Sequence, residues 1–119
     1  ILNDEQVDIG MRAADVAIWT REPEQADLIR RPLLESRVRA FASVNYIRRF
    51  GTPKSLDDLE HHRIISYSGQ PAQHLTAVNW IESVGRVGKE HRQAILRINS
   101  VVAIKYAIRA GIGIGMIPD

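Results

Sequence analysis

Residues 94–117, AILRINSVVAIKYAIRAGIGIGMI, have the pattern of a strand, a helix and a second strand. The apolar run Ala94–Ile98 predicts the first strand, and the pair Asn99-Ser100 after it favours a helix N-terminus. The next residues place their apolar side chains on one helical face: Val101, Ile104, Ala107 and Ile108. Gly111 is the expected helix stop, and the glycine-interleaved run 112–117 predicts the second strand. The segment therefore predicts a strand–helix–strand unit of an α/β sheet.

The sequence upstream of this unit contains two more apolar runs of strand length and one longer segment in which apolar and polar residues alternate. They predict a buried strand over Asp15–Trp19, a long strand over Leu34–Ser43 and a third strand over Ile64–Tyr67. The polar stretch Thr20–Pro32 contains two prolines and is typical of a loop. Because strands alternate with helical segments along the chain, we expect an α/β fold with mainly parallel strands.

Short helices are predicted between these strands. Asn45 is placed to cap a short helix that Gly51 ends. Ser55 begins another, because its hydroxyl can accept a backbone N–H three residues on. The stretch Leu75–Ile81 is compatible with either a helix or a strand, and Trp80 is expected to be buried in both cases.

The composition excludes several classes of protein. The 119 residues include no cysteine, which excludes a disulfide framework, a thiolate metal site and a cysteine nucleophile. No apolar run approaches the ~18–20 residues of a membrane-spanning helix. The N-terminal stretch shows no signal-peptide pattern, and the chain begins at Ile1 and stops at Asp119 directly after an apolar run. We therefore expect a piece of a longer protein from a reducing cytoplasm, with no membrane partner.

Three motifs can mark an enzyme or a cofactor site, and each lacks the neighbouring elements, the spacing or the residues that such a site requires. Gly111–Gly115 lacks the preceding strand and following helix of a dinucleotide-binding loop. The adjacent pair His61-His62 has neither the H-x-H nor the H-x-x-x-H spacing of metal ligands. No G-x-S-x-G nucleophile motif occurs. We expect no catalytic residue, no cofactor and no bound metal.

An arginine-rich stretch raises the alternative of nucleic-acid binding. Its arginines, which could contact phosphates, are Arg30, Arg31, Arg37, Arg39, Arg48 and Arg49. The formal net charge of the chain is only +2, however, and Arg37 and Arg39 alternate with apolar residues as on the solvent face of a strand. An exposed strand face is therefore the preferred interpretation.

Two predicted strand-to-helix turns are better candidates for a ligand site. Ser43-Val44-Asn45 follows one predicted strand, and Asn99-Ser100 follows another. In open α/β sheets, ligands bind at the carboxyl ends of strands, where helix N-termini offer free N–H donors to anions. Ordinary helix capping is the alternative at each turn.

Five segments, in order along residues 7–119, resemble motifs of the effector domains of LysR-type transcriptional regulators. They are Val7-Asp8 with Met11–Ile18, resembling MREADVAIR; Leu28–Leu33, resembling LIxRxL; Ala42–Tyr46 with Arg49–Pro53, resembling ASPEY…RFGTP; Leu56–Leu59 with His62–Ile65, resembling DLxxHRII; and Ile98–Ser100 with Ala110–Gly115 and Pro118-Asp119, resembling VNN…AGxGIAxLPD. Their joint order and spacing are specific to the family. Two positions depart from it: Trp19 replaces a usual Arg, and Val44 replaces a frequent Pro.

The resemblance implies the two-lobed fold of type 2 periplasmic binding proteins, with a small molecule in the cleft between the lobes. Residues 1–43 resemble the end of the first lobe and residues 44–53 a hinge crossing. Residues 54–117 resemble the second lobe, a three-layer α/β/α mixed sheet, and residues 118–119 the return to the first lobe. The chain contains no helix-turn-helix, so a separate N-terminal domain is expected to bind DNA.

The implied function is that of an effector-sensing domain, which binds a small acidic metabolite and thereby modulates DNA binding and transcription. The expected effector-binding residues are Trp19, Thr20, Ser43, Val44, Asn99, Ser100 and Val101. The hydroxyl and amide side chains are expected to hold the polar groups of the effector, and the apolar side chains to shape it. Further expected partners are other copies of the protein, in a dimer or tetramer, and RNA polymerase.

A solute-binding protein of a transport system with the same fold is the alternative. It would carry a signal peptide upstream of Ile1, where a regulator carries a helix-turn-helix. The segment Met11–Ile18 favours the regulator. An enzyme on a related two-lobed fold is a third class, but no catalytic set of residues supports it.

Overall fold

The computed structural model describes Val16, Ile18 and residues 29–69, 71 and 73–119. The chain divides into two units, residues 1–35 and 36–119, and every helix and strand described lies in the second. The strands are β1 (Val38–Phe41), β2 (Ile64–Tyr67), β3 (Ala94–Ile98) and β4 (Ile114–Pro118). The α-helices are α1 (Val44–Phe50), α2 (Trp80–Ser83) and α3 (Val101–Arg109), and two 3₁₀ helices span Asp57–His61 and Gln73–Asn79.

The four strands form one mixed sheet in the order β1-β4-β2-β3. Strand β2 runs parallel to both β3 and β4, whereas β1 runs antiparallel to β4. Strands that run in the same direction cannot be joined by a hairpin, and the connections from β2 to β3 and from β3 to β4 (two strands that lie on either side of β2) accordingly contain helices. The predicted α/β fold with a mixed sheet is confirmed.

Apolar side chains cover both faces of the sheet. On one face, Ile104 and Ile108 of α3 join a buried cluster with Ile65 and Ile117. Gly115 permits this close approach, since a methyl group there would lie 3.1–3.3 Å from the two α3 side chains. The cluster on the other face contains Tyr46, Leu59, Ile64, Ile81, Ile114 and Met116. Burying one large aliphatic side chain contributes about 1.5–3 kcal/mol, so these two clusters dominate the stability of the sheet.

The segment 94–117 forms the predicted unit, in which β3, α3 and β4 follow one another. Ser100 caps α3, as predicted. Gly111 follows the helix with φ of 76°, a left-handed conformation that glycine adopts without strain. The last strand begins at Ile114 rather than at residue 112, at the point where the Ile114 N–H donates to the carbonyl of Arg63 at 2.8 Å.

Two predictions about the preceding elements are wrong in detail. The strand predicted over Leu34–Ser43 extends only over Val38–Phe41, because these four residues are the ones that pair with β4. Helix α1 is capped by Ser43 rather than by Asn45, and the Ser43 hydroxyl accepts the N–H of Tyr46 at 3.2 Å. The extended backbone of Ser43 suits a cap, whereas Asn45 already lies inside the helix.

The prediction that Trp80 is buried is also wrong, because its side chain is 52% exposed. The stretch Leu75–Ile81 is helical, first as a 3₁₀ helix and then as the start of α2. This winding buries Val78 and Ile81 in the two clusters and leaves the intervening Trp80 at the surface.

Two further predictions fall partly outside the described residues. Of the strand predicted over Asp15–Trp19, only Val16 and Ile18 are described, and they lie in no strand and are 82% and 79% exposed. An apolar strand is buried only where other elements cover both of its faces, and these two side chains are not covered. Of the loop predicted over Thr20–Pro32, residues 29–32 are described and lie in neither helix nor strand.

Candidate functional site

The parallel strands β2 and β3 end side by side at what we call the carboxyl edge, formed by Tyr67, Ser68, Asn99 and Ser100. Tyr67 pairs with Ile98, and the Ser68 N–H donates to the Ile98 carbonyl at 3.0 Å. Asn99 and Ser100 follow Ile98 directly in the chain. The strand pairing therefore adds Ser68 to the turn that the sequence predicts as a ligand site.

Helix α3 begins at this edge and presents backbone donors there. The Ser100 hydroxyl accepts the N–H of Ala103 at 3.3 Å, and the Ser100 carbonyl accepts that of Ile104 at 3.0 Å. The N–H groups of Val101 and Val102 have no partner among the described residues. Together with the positive end of the helix dipole, such donors stabilise a bound anion.

Asn79 separates the ends of β2 and β4 at the same edge. In the described part of the chain these two strands pair only at Ile64 and Ile65, although both continue further. The Asn79 carboxamide takes the place of a neighbouring strand: its Oδ1 accepts the Tyr67 N–H at 2.8 Å, and its Nδ2 donates to the Tyr67 carbonyl at 3.2 Å. The sequence shows an asparagine in an apolar stretch, but only the fold shows which backbone groups it satisfies.

The other predicted turn lies at the opposite edge of the sheet, where β2 and β4 begin. We call this edge the amino edge; it is formed by Ser43, Arg63, Gly111 and Gly113. A methyl group at Gly111 would lie 3.3 Å from the Ser43 hydroxyl, so Ser43 is next to the C-terminal end of α3. Ser100 caps the other end of that helix, whose nine residues span about 13 Å. A small molecule bound at one serine therefore does not reach the other.

The structure thus brings together three of the seven predicted effector-binding residues, Asn99, Ser100 and Val101. The Asn99 side chain is exposed, and the other two are half-buried. Ser43 and the exposed Val44 do not join them, because both lie at the amino edge. Trp19 and Thr20 lie outside the described residues.

A polar hollow of about 320 Å³ opens beside the first residues of β2 and β3. Its buried Arg92 contacts Glu60 at 2.9 Å and donates to the carbonyls of Leu56, Ile81 and Val84. Arg86 also pairs with Glu60, and this hydrogen bond lowers the pKa of the Glu60 carboxyl. Because both arginines are engaged within the chain, they hold the surrounding loops together and are not free to bind an anion.

The antiparallel strands β1 and β4 are tied together where β4 ends. The Asp119 carboxylate accepts the backbone N–H of Arg37 at 2.7 Å and pairs with Arg39 at 2.8 Å. The Ser36 hydroxyl donates to the Asp119 carbonyl at 3.3 Å. The hydrogen bond from the Arg37 N–H, assisted by the charge of Arg39, holds the pKa of the Asp119 carboxyl below its usual value.

The mixed sheet, with α3 beginning at its carboxyl edge, forms an α/β lobe, and comparisons with known proteins give its family. The model of the LysR substrate binding domain matches residues 2–119. Two HTH-type transcriptional regulators, one from Haemophilus influenzae and YhjC from Escherichia coli, are each 32% identical over 98% of the chain. The chain covers 39% and 38% of these proteins and so spans about two fifths of their length.

A solved structure shows the same fold. It is the regulatory domain of CrgA, a LysR-type transcriptional regulator from Neisseria meningitidis, with a TM-score of 0.61 and 24% identity. The similarity covers 84% of this chain and 47% of that chain. The sheet is therefore one lobe of the type 2 periplasmic-binding-protein-like fold.

The chain belongs to the LysR substrate-binding domain family. It is an effector-binding regulatory domain of a LysR-type transcriptional regulator, and the family is not enzymatic. The resemblance noted in the sequence is confirmed. Among the described residues, the helices do not include a candidate membrane-spanning segment.

Proposed function

We propose that this chain senses a small acidic metabolite, bound at the carboxyl edge in a cleft between two regulatory lobes. In this proposal residues 36–119 belong to the second lobe, because β1 pairs with β4 and α1 packs in the same core, and residues 1–35 form the end of the first. The crossing between the lobes, expected at residues 44–53, is accordingly proposed near residues 35–36, and residues 118–119 begin the return. The observation that supports the proposal best is the N-terminus of α3, whose first two N–H groups are unpartnered in the described part of the chain beside two strand ends.

The residues at the carboxyl edge suit an acid with an apolar body. Its carboxylate would accept hydrogen bonds from the N–H groups of Val101 and Val102. The exposed Asn99 and the half-buried Ser68 offer further polar contacts, and the half-buried Val101 side chain offers an apolar one. From the first lobe, Trp19 and Thr20 would complete the site.

The effector would act by favouring one relative orientation of the lobes. A ligand can shift such an equilibrium only through a difference in affinity for the two orientations. We propose that the shift passes through a dimer or tetramer in the cytoplasm to a separate helix-turn-helix domain that binds DNA, and that RNA polymerase is a further partner. Support comes from the curated relatives, which are HTH-type regulators and much longer than this chain.

A thermal-shift screen tests the ligand class. The chain is heated with a panel of small carboxylic acids and with the corresponding neutral amides. We expect at least one acid to raise Tm where its amide does not, because binding to the folded state stabilises it. If amides stabilise the chain as well as acids do, or if no acid stabilises it, the proposed carboxylate site is wrong.

Isothermal titration with an acid found in this way tests the location. We expect Ser100→Ala to weaken its Kd by about tenfold, because the start of α3 loses the hydroxyl that orders it. Ser43→Ala is the matched control, since it removes an equivalent helix cap at the amino edge. Equal effects of the two substitutions on Kd would place the ligand elsewhere.

A further inference from the structure

Three side chains near the amino edge form what we call the Phe50 patch: Arg49, Phe50 and Arg63. The Phe50 ring, at the end of α1, is 38% exposed. The guanidinium carbon of Arg49 lies 5.4 Å from the ring centroid, and that of Arg63 lies 4.9 Å from it. Two exposed cations therefore share one aromatic ring.

The buried Tyr46 fixes this arrangement from below. Its ring packs against the Phe50 ring, with a centroid distance of 4.8 Å. Its hydroxyl accepts the backbone N–H of Arg63 at 2.9 Å and lies 2.9 Å from Nδ1 of His62. Helix α1 and the residue before β2 are thereby held together, so the patch is organised before any partner binds.

No acidic side chain neutralises the patch within the described residues, because neither Arg49 nor Arg63 forms an ion pair there. Two acids close to Arg63 in the sequence are engaged elsewhere. Asp58 accepts the N–H groups of Lys54 and Ser55, and Glu60 pairs with two other arginines. The negative C-terminal end of the α1 dipole lies beside Arg49 and offsets part of the repulsion between the Arg49 and Arg63 guanidinium groups.

We infer that the Phe50 patch docks an acidic segment of a partner protein, an interaction separate from effector binding. Planar guanidinium groups bind carboxylates through two parallel hydrogen bonds, and Arg and aromatic side chains are enriched at the centres of protein interfaces. A DNA duplex is a poorer fit, because its binding draws on about 6–10 phosphate contacts and the patch has two cations. Since the patch lies at the amino edge, a partner there leaves the carboxyl edge open.

Fluorescence anisotropy with a labelled peptide rich in Asp and Glu tests this inference on the full chain. The double substitution Arg49→Gln and Arg63→Gln is compared with Lys105→Gln and Arg109→Gln, which remove the same charge from the exposed face of α3. We expect the first pair to weaken the peptide Kd at least about tenfold and the second pair less than about threefold. Equal losses would overturn the inference, because they would show attraction to net charge alone.

Two further measurements complete the test. Arg49→Lys with Arg63→Lys keeps the charge but removes the planar donors, and we expect it to recover less than half of the lost binding free energy. Full recovery would show that the guanidinium geometry is not used. A labelled DNA duplex is titrated in parallel, and tighter binding of the duplex with the same dependence on Arg49 and Arg63 would overturn the choice of a protein partner.

Discussion

Ser43 and Ser100 form the same local motif at opposite edges of one sheet. Each hydroxyl accepts an N–H three residues on, at 3.2 Å and 3.3 Å, and each helix leaves its first two N–H groups unpartnered in the described part of the chain. Their surroundings differ, because α3 presents its positive end at Ser100 and its negative end near Ser43. The comparison teaches that topology, rather than the capping residue, makes one turn a candidate anion site.

The largest expected difference between the edges concerns how tightly their backbones pack. A methyl group at Gly113, at the amino edge, would lie 2.5 Å from the carbonyl oxygen of Arg63. We expect Gly113→Ala to lower the free energy of unfolding by about 2–3 kcal/mol, because β4 must move away from β2. Urea denaturation measures the loss.

Gly69→Ala, near the carboxyl edge, is the control for this prediction. Gly69 has φ of 82° but nothing within 4 Å of an added methyl group. The left-handed backbone alone costs about 1–2 kcal/mol for alanine. If Gly69→Ala is as destabilising as Gly113→Ala, the amino edge is not the more tightly packed of the two.

A second expected difference concerns the two buried tyrosines. Tyr46→Phe removes the acceptor of the Arg63 N–H near the amino edge and should cost about 1–3 kcal/mol, because that donor loses its partner. Tyr67→Phe at the carboxyl edge is the matched control, since the Tyr67 hydroxyl forms no hydrogen bond among the described residues. We expect this substitution to change the free energy of unfolding by less than about 0.5 kcal/mol. Chemical denaturation of both variants measures the free energy of unfolding. A larger loss for Tyr67→Phe than for Tyr46→Phe would contradict this prediction.

Local features of both edges could be predicted from the sequence. The cap at Ser100 depends on neighbouring residues alone, and so does the hydrogen bond from the Asp58 N–H to the Ser55 hydroxyl at 3.3 Å. The prediction that Ser55 begins the helix is wrong by one position, because the 3₁₀ helix begins at Asp57 and Leu56 is its N-cap residue. The stop at Gly111 is equally local. The prediction of an Asn45 cap is wrong because Ser43 and Asn45 are both good capping residues and lie two positions apart. The end of β1 places Ser43, and not Asn45, directly before the first helical residue.

Features that depend on strand order could not be predicted. Ser43 and Ser100 have similar local sequences. Only the antiparallel pairing of β1 with β4, which the local sequence does not indicate, places Ser43 at the amino edge. Asn79 and Ser68 were missed as parts of the site, since their partners lie in other strands. Family resemblance supplied the fold class, but the packing around each turn required the structure.

The third prediction concerns the two helix caps, whose removal should destabilise the fold by the same amount at both edges. Ser43→Ala and Ser100→Ala should each lower the free energy of unfolding by about 1 kcal/mol, because each removes one hydrogen bond to a helix N–H. Thermal and urea denaturation without ligand should show losses that agree within about 0.5 kcal/mol. A clearly larger loss at Ser100 would mean that its effect on ligand affinity reflects local unfolding.

The smallest expected effect concerns acid sensitivity near the end of β4. Because the pKa of Asp119 is lowered in the folded chain, its ion pair and hydrogen bond stabilise the fold above the usual carboxyl pKa near 3.8, and this contribution is lost as the pH falls through the folded-state pKa. Asp119→Asn should therefore lower the urea midpoint at pH 7 slightly and flatten its decline as the pH falls below the usual carboxyl pKa near 3.8.

Asp58→Asn provides the comparison, because the Asp58 carboxylate accepts the Lys54 N–H beside the 3₁₀ helix Asp57–His61 and its pKa is lowered in the same direction. Equal flattening by the two variants indicates that backbone N–H donors set both effects, whereas a larger one for Asp119→Asn indicates that Arg39 adds to it. A variant whose midpoint declines with pH as steeply as that of the unmodified chain would show that the Asp119 contacts do not stabilise the pairing of β1 with β4.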